Sequence, residues 1–97
     1  MSNYIVSTKH TRLDDRFITL WRPNNSGYTE TMNTAGEYPN PKKGYHDSNN
    51  SFPVSIRAAN SLSIIAPFDG KENVRVLPNT KEVWTALNRL DIAKKFK

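Results

Sequence analysis

The fold turns on two stretches, Tyr4-Ile-Val-Ser-Thr8 and Arg16-Phe-Ile-Thr-Leu-Trp-Arg22. Both are dense in β-branched and aromatic residues, which suit a pleated and packed surface, and the polar connection from Lys9 to Asp15 predicts that they pair antiparallel. In the second stretch Phe17, Thr19 and Trp21 share one face, while Ile18, Leu20 and Arg22 share the other. Apolar residues on both faces predict a strand covered from both sides, and therefore a central one.

Downstream, residues 23–53 carry Pro23, Pro39, Pro41 and Pro53 together with Gly27, Gly36 and Gly44. This composition predicts a long irregular excursion with a helical turn around Thr31 to Ala35. Its four rings, Tyr28, Tyr38, Tyr45 and Phe52, favour an ordered loop. Val54, Ala58 and Leu62, four apart, predict a two-turn helix. Ser63-Ile-Ile-Ala66 reads as a short buried strand ended by Pro67, Asp69-Gly70 as a turn, and Asn73 to Leu77 as a further strand carrying Val74 and Val76. After Pro78, either Asn79 or Thr80 can cap a helix with Glu82 in its first turn. Val83, Trp84, Leu87 and Leu90 would form its apolar stripe, with Trp84 and Leu87 facing the sheet. The expected fold class is α+β: a small antiparallel sheet packed by one or two helices, with a long ordered loop.

Size agrees with one domain spanning 1–97. For 97 residues and 11.1 kDa, mass scaling gives a folded surface of roughly 5,700 Å² and burial of about 65% of the extended chain. Hydrophobic residues make up only 36% and mean hydropathy is -0.70, yet ten aromatic residues argue against disorder. No apolar run approaches a membrane span, and no leader-like stretch opens the chain, so a soluble intracellular protein is expected. The absence of cysteine excludes disulfides, thiolate metal sites and cysteine nucleophiles. Of the net charge of +5, residues 89–97 carry +3. They form a basic C-terminal tail, read as a solvated helix end whose lysines favour the negative pole of the helix dipole.

Chemistry concentrates in Trp21-Arg-Pro-Asn-Asn-Ser-Gly-Tyr28. Pro23 ends the ladder, Asn24 and Asn25 favour tight turns, and Gly27 permits positive φ. Such a turn can present backbone N–H groups. Beside the Arg22 guanidinium and the rings of Trp21 and Tyr28, those donors predict a seat for an anionic, planar, nucleotide-like ligand. Tyr38, Tyr45 and His46 extend the candidate surface, and Arg57 or Arg75 could add charge. The plain alternative is that Trp21 is core and the turn only a hairpin end.

Leu20-Trp-Arg-Pro-Asn-Asn-Ser-Gly-Tyr28, followed by Ala35-Gly-Glu-Tyr38, Tyr45-His46, Phe52-Pro-Val54 and Leu77-Pro-Asn-Thr80, resembles a group of short uncharacterised proteins encoded by phages and prophages. The similarity touches most of the chain from Arg16 to Leu87. Thr29-Glu-Thr-Met-Asn-Thr34 departs from the more apolar segment usual in that group. The resemblance implies a viral accessory protein acting by binding in the host cytoplasm. Its partner would be a host defence protein, which it would inhibit, or a nucleotide-like signal, which it would sequester.

Catalytic constellations are poor. His10 and His46 are the only histidines, and His46-Asp47 is adjacent in sequence rather than arranged as an oriented base. Asp14, Asp15 and Asp47 do not join the histidines at ligand-motif spacing, and no phosphate loop or nucleophile elbow occurs. The reading is therefore a non-enzymatic binding protein without cofactor or metal. The alternative is a small DNA- or RNA-binding protein using Lys42, Lys43, Arg89 and the lysines from Lys94 to Lys97. Self-association into a homo-oligomer would offer either reading a composite site.

Overall fold

The structure is a computed structural model and describes residues 2–96. Strand β1 (Asn3–Ser7) lies inside a four-stranded antiparallel sheet ordered β3-β2-β1-β4, with Ile5 and Val6 fully buried. Its partner β2 (Leu20–Trp21) pairs Leu20 with Val6 on one side. On the other, Trp21 pairs with Tyr28 of β3 (Tyr28–Thr29). β2 is thus central, as its two apolar faces require. Its ladder is shorter than the run Arg16 to Arg22 suggested, because Phe17 to Thr19 find other partners. Phe17 bridges Pro78, the Ile18 N–H donates to the Leu77 carbonyl at 2.9 Å, and the Thr19 N–H donates to the Thr11 hydroxyl at 2.9 Å.

The outer strand β4 (Ser51–Ser55) sets Val54 opposite Tyr4 and Pro53 opposite Ile5. Val54 is therefore a buried strand residue and not the start of a helix. Helix α1 (Ile56–Leu62) begins two residues later, where the Ser55 hydroxyl accepts the Ala58 N–H at 3.1 Å and caps the first turn. Strands β5 (Ile64–Phe68) and β6 (Lys71–Val76) make a separate hairpin around Asp69 and Gly70, both at positive φ (53° and 74°), as a tight hairpin turn demands. A Thr31–Val76 bridge and the Met32 N–H on the Arg75 carbonyl at 2.8 Å join this hairpin to the body.

β5 corrects the expected buried strand in two ways. It runs through Pro67 at an irregularity in register, and Ile64 and Ile65 are 46% and 51% exposed. Pro67 is tolerated because β5 pairs with β6 alone among the described strands and has no outer ladder to interrupt. The adjacent Ile64 and Ile65, which point to opposite faces, are exposed because neither core cluster reaches them.

Helix α2 (Lys81–Ala86) is capped by the Thr80 hydroxyl, which accepts the Val83 N–H at 3.2 Å. Asn88, at φ 63°, terminates it in the left-handed conformation. α3 (Leu90–Ala93) restarts in a new direction, so Leu90 leaves the expected stripe and is 62% exposed. Ala93 is buried instead, and Ile92 and Phe96 pack on the core. The basic C-terminal segment is thus docked on the core through α3 and Phe96, with Lys94 and Lys95 exposed in the turn that follows the helix. Lys97 of the expected tail lies outside the described residues.

The main core gathers Val6, Ile18, Leu20, Leu77, Val83 and Trp84, with Met32 supplied by the turn at Thr31 to Ala35. A second cluster of Phe17, Val74 and Val76 fills the hairpin side. Among the described residues no helix is long and apolar enough to cross a membrane.

Candidate functional site

Trp21 is buried, yet it belongs to neither of the two hydrophobic clusters. Its indole is ringed by Tyr45 and His46, with centroids at 5.3 and 5.2 Å, and by Tyr28 and Tyr38 at 6.1 and 6.3 Å, all edge to face. Such pairs add about 0.5–1.5 kcal/mol each beyond area burial. The indole Nε1 is buried without a hydrogen-bond partner, a state that ordinarily costs about 1–3 kcal/mol. These rings come from β2, β3 and the long excursion, so the loop is ordered by closing over the sheet.

The turn that starts the excursion is built as its residue types require. Asn24 and Asn25 are both left-handed (φ 59° and 57°), and Gly27 reaches φ 107°. The Arg22 N–H closes the turn on the Gly27 carbonyl at 2.8 Å. Gly36 presses directly beneath, where a Cβ would lie 2.7 Å from Pro23 Cα and 2.8 Å from the Tyr38 ring. The Tyr38 hydroxyl donates to the Arg22 carbonyl and accepts the Asn25 N–H at 3.0 Å. The Ser26 N–H is held by the Pro23 carbonyl at 3.2 Å. Two amides expected to face an anion, those of Asn25 and Ser26, are therefore already engaged, one by Tyr38 and one within the turn.

His46 ties the two arms of the loop together. Its Nδ1 accepts the Lys42 N–H at 2.8 Å, which leaves Nε2 to donate to Asn25 Oδ1 at 2.8 Å. Burial, aided by the nearby Lys42, pushes its pKa below the ordinary value.

In front of this aromatic cluster lies a cleft of about 390 Å³. Trp21, Asn25, Tyr28 and Tyr45 line it, so four of the eight sequence candidates converge there. Tyr28 and Tyr45 are 44% and 50% exposed. Lys9 and His10 complete one wall, with the His10 ring 3.9 Å from that of Tyr28. The exposed Ser48 and Asn50 add polar groups at the rim, the buried hydroxyls of Ser7 and Ser51 are already bonded to the His10 N–H and to the Tyr45 and His46 carbonyls, and no carboxylate is among the lining residues.

The other candidates fall outside the lining. Tyr38 and His46 stand behind it as supports. Asn24 is exposed on the turn, and Arg22, also exposed, donates from Nε to the Tyr28 carbonyl at 3.1 Å. No carboxylate pairs with Arg22 among the described residues. Arg57 lines a different cavity, and Arg75 is spent on the Ser63 hydroxyl at 2.8 Å. Sequence reasoning missed Lys9, read only as part of a polar connection, and weighed His10 only for catalysis or metal binding, not as part of this surface. The signal was there: a cation and an imidazole immediately after a buried strand.

Groups of catalytic type are less well organised. A cavity of about 210 Å³ is lined in part by His10, Asp15 and Glu30, and Glu30 is raised by burial and then by Asp15 and Asp69. No hydrogen bond joins those side chains among the described residues. Nor, among them, do three or more His, Asp or Glu side chains converge to hold a metal ion. Comparison with protein-family models, with curated proteins and with solved structures finds no match to this chain.

Proposed function

We propose that this chain is a non-enzymatic binding protein, a viral accessory factor that sequesters a small, planar, anionic ligand of nucleotide type in the cytoplasm of the infected cell. One observation carries the reading. Two half-exposed tyrosines and a buried tryptophan line a single cleft whose one full cation, Lys9, faces no carboxylate lining residue. Exposed rings cost solvation unless a partner covers them, and a base covering one gains about 1–3 kcal/mol by stacking. Amide and hydroxyl groups at the rim suit the polar edges of a base, and Lys9 suits a phosphate. The similarity of the Trp21 to Tyr28 block to phage-encoded proteins supports the viral setting, and sequestration would counter a host defence that signals through such a ligand.

Calorimetric titration with a panel of mono-, di- and cyclic nucleotides tests this. Binding should appear, and Tyr45→Ala should weaken it about 5- to 150-fold, the equivalent of one lost stack. No binding by the folded protein, or binding indifferent to a Tyr28→Ala, Tyr45→Ala double variant, would remove the basis of the proposal. A host protein as partner is the second reading, favoured by the exposed Ile64 and Ile65 on the free margin of β5.

A further inference from the structure

The cleft does not end at Lys9. Lys9 and Asn50 also line a second cavity of about 310 Å³, and the Asn50 carbonyl holds that boundary by accepting the N–H groups of Thr8 and Lys9 at 2.9 and 3.3 Å. The second cavity has a different character. Its charged lining is Lys9, Arg12, Arg89 and Lys95 against one carboxylate, Asp91. That carboxylate is already spoken for: Arg89 reaches both its oxygens, at 3.0 and 2.9 Å, and holds its pKa down to about 2. Arg89 is further fixed by lying over the Phe52 ring at 4.7 Å. Arg12 meets only Asp14 at 3.7 Å, an exposed and weak pairing. Among the described residues Lys9, Arg12 and Lys95 thus present cationic groups with no strong internal partner to the space adjoining the aromatic cleft.

Resting on the nucleotide reading above, we infer that the ligand bears, besides its base, two or more phosphate groups, the outer of which reaches past the Lys9–Asn50 boundary into the basic cavity. The base stacks in the Tyr28 and Tyr45 cleft, one phosphate meets Lys9, and the next meets Arg12 and Lys95. The chemistry is that of a nucleoside polyphosphate or a phosphodiester-linked dinucleotide. Each cavity falls in the size range of small-molecule sites, and Lys9 and Asn50 line both, so the two adjoin.

Titration of the full chain with AMP, ADP, ATP and the dinucleotide pApA, each at 50 and 200 mM salt, tests the inference. At low salt one of the more highly charged probes should bind about tenfold or more tighter than AMP, and salt should erode that gain. A gain with ADP and ATP assigns a polyphosphate, and a gain with pApA alone assigns a dinucleotide. In Arg12→Gln, Lys95→Gln, which alters two exposed side chains, the ratio of affinities to that for AMP should fall toward one. If AMP binds in a Tyr45-dependent way and no added phosphate helps, this inference fails while the cleft reading stands. If no probe binds, both fail. Affinity that keeps climbing along single-stranded oligonucleotides well beyond two units would overturn the small-ligand assignment in favour of a polynucleotide.

Discussion

The imidazole of His46 donates from Nε2 to the side-chain oxygen of Asn25 at 2.8 Å, joining a buried loop residue to the exposed turn that follows β2. This bond, with the Lys42 N–H on Nδ1, requires a neutral ring. Protonation would set a donor against a donor.

A pH dependence follows. The folded pKa of His46 lies below its ordinary 6.5, so the unfolded chain binds the extra proton first and stability rises with pH across that interval. The contribution of His46 is fully present above about pH 6.5 and is lost as pH falls through the lowered folded value. An NMR titration of the His46 ring should show a midpoint below 6.5, and the melting temperature of the wild type should fall more between pH 7.5 and 5 than that of His46→Gln. A midpoint at or above 6.5 would contradict the bonding described.

Gly36→Ala forces a methyl group to within 2.7–2.8 Å of Pro23 backbone atoms. Backbone cannot swing aside as a side chain does, so a loss of about 1–3 kcal/mol in urea unfolding is expected. The same variant should displace the Asn24–Asn25 turn and weaken ligand binding. Unchanged stability would mean that the close approach of Gly36 to Pro23 does not exist.

Asn79 is an internal staple. Its amide group donates to the Arg12 and Asp15 carbonyls at 2.7 and 2.9 Å, and its oxygen accepts the Trp84 indole N–H at 2.7 Å. Asn79→Ala leaves several buried groups unmatched and should cost about 3 kcal/mol, at about 1–3 kcal/mol per buried group. Thr80→Ala, which removes only the cap of α2, should cost about 1 kcal/mol. Equal losses in the two variants would refute the staple role.

Arg22→Ala separates rim from lining. The side chain is exposed and its Nε bond to the Tyr28 carbonyl is worth about 0.5–1.5 kcal/mol, so a small stability loss is expected. Nucleotide affinity should drop less than in Tyr45→Ala, because Arg22 does not line the cleft. A larger drop than for Tyr45→Ala would move the site onto the turn itself.

Local pattern made parts of this arrangement legible. Alternation in Phe17 to Trp21 identified a central strand, the pair Asn79 and Thr80 held the α2 cap, which falls on Thr80, and Asp69-Gly70 marked its hairpin, because each signal acts over a few residues. Val54 and Leu90 were misread for a shared reason. Their apolar spacing fits a helix, but the Ser55 cap and the left-handed Asn88 decide where helices start and stop. At the site, Trp21, Tyr28 and Tyr45 were visible as rings in a polar setting. The roles of His46 as a brace and of Lys9 as a lining cation depend on contacts across long stretches of chain, which no local pattern encodes.

Pro53 in β4 and Pro67 in β5 have a consequence at the scale of the whole cell. Each sits on a strand with no neighbour on its far side, and each lacks the N–H that an incoming strand from another copy would need. Addition of a strand from another copy is therefore disfavoured along β4 and β5, which lowers the tendency of the polypeptide to aggregate as it accumulates in a cell.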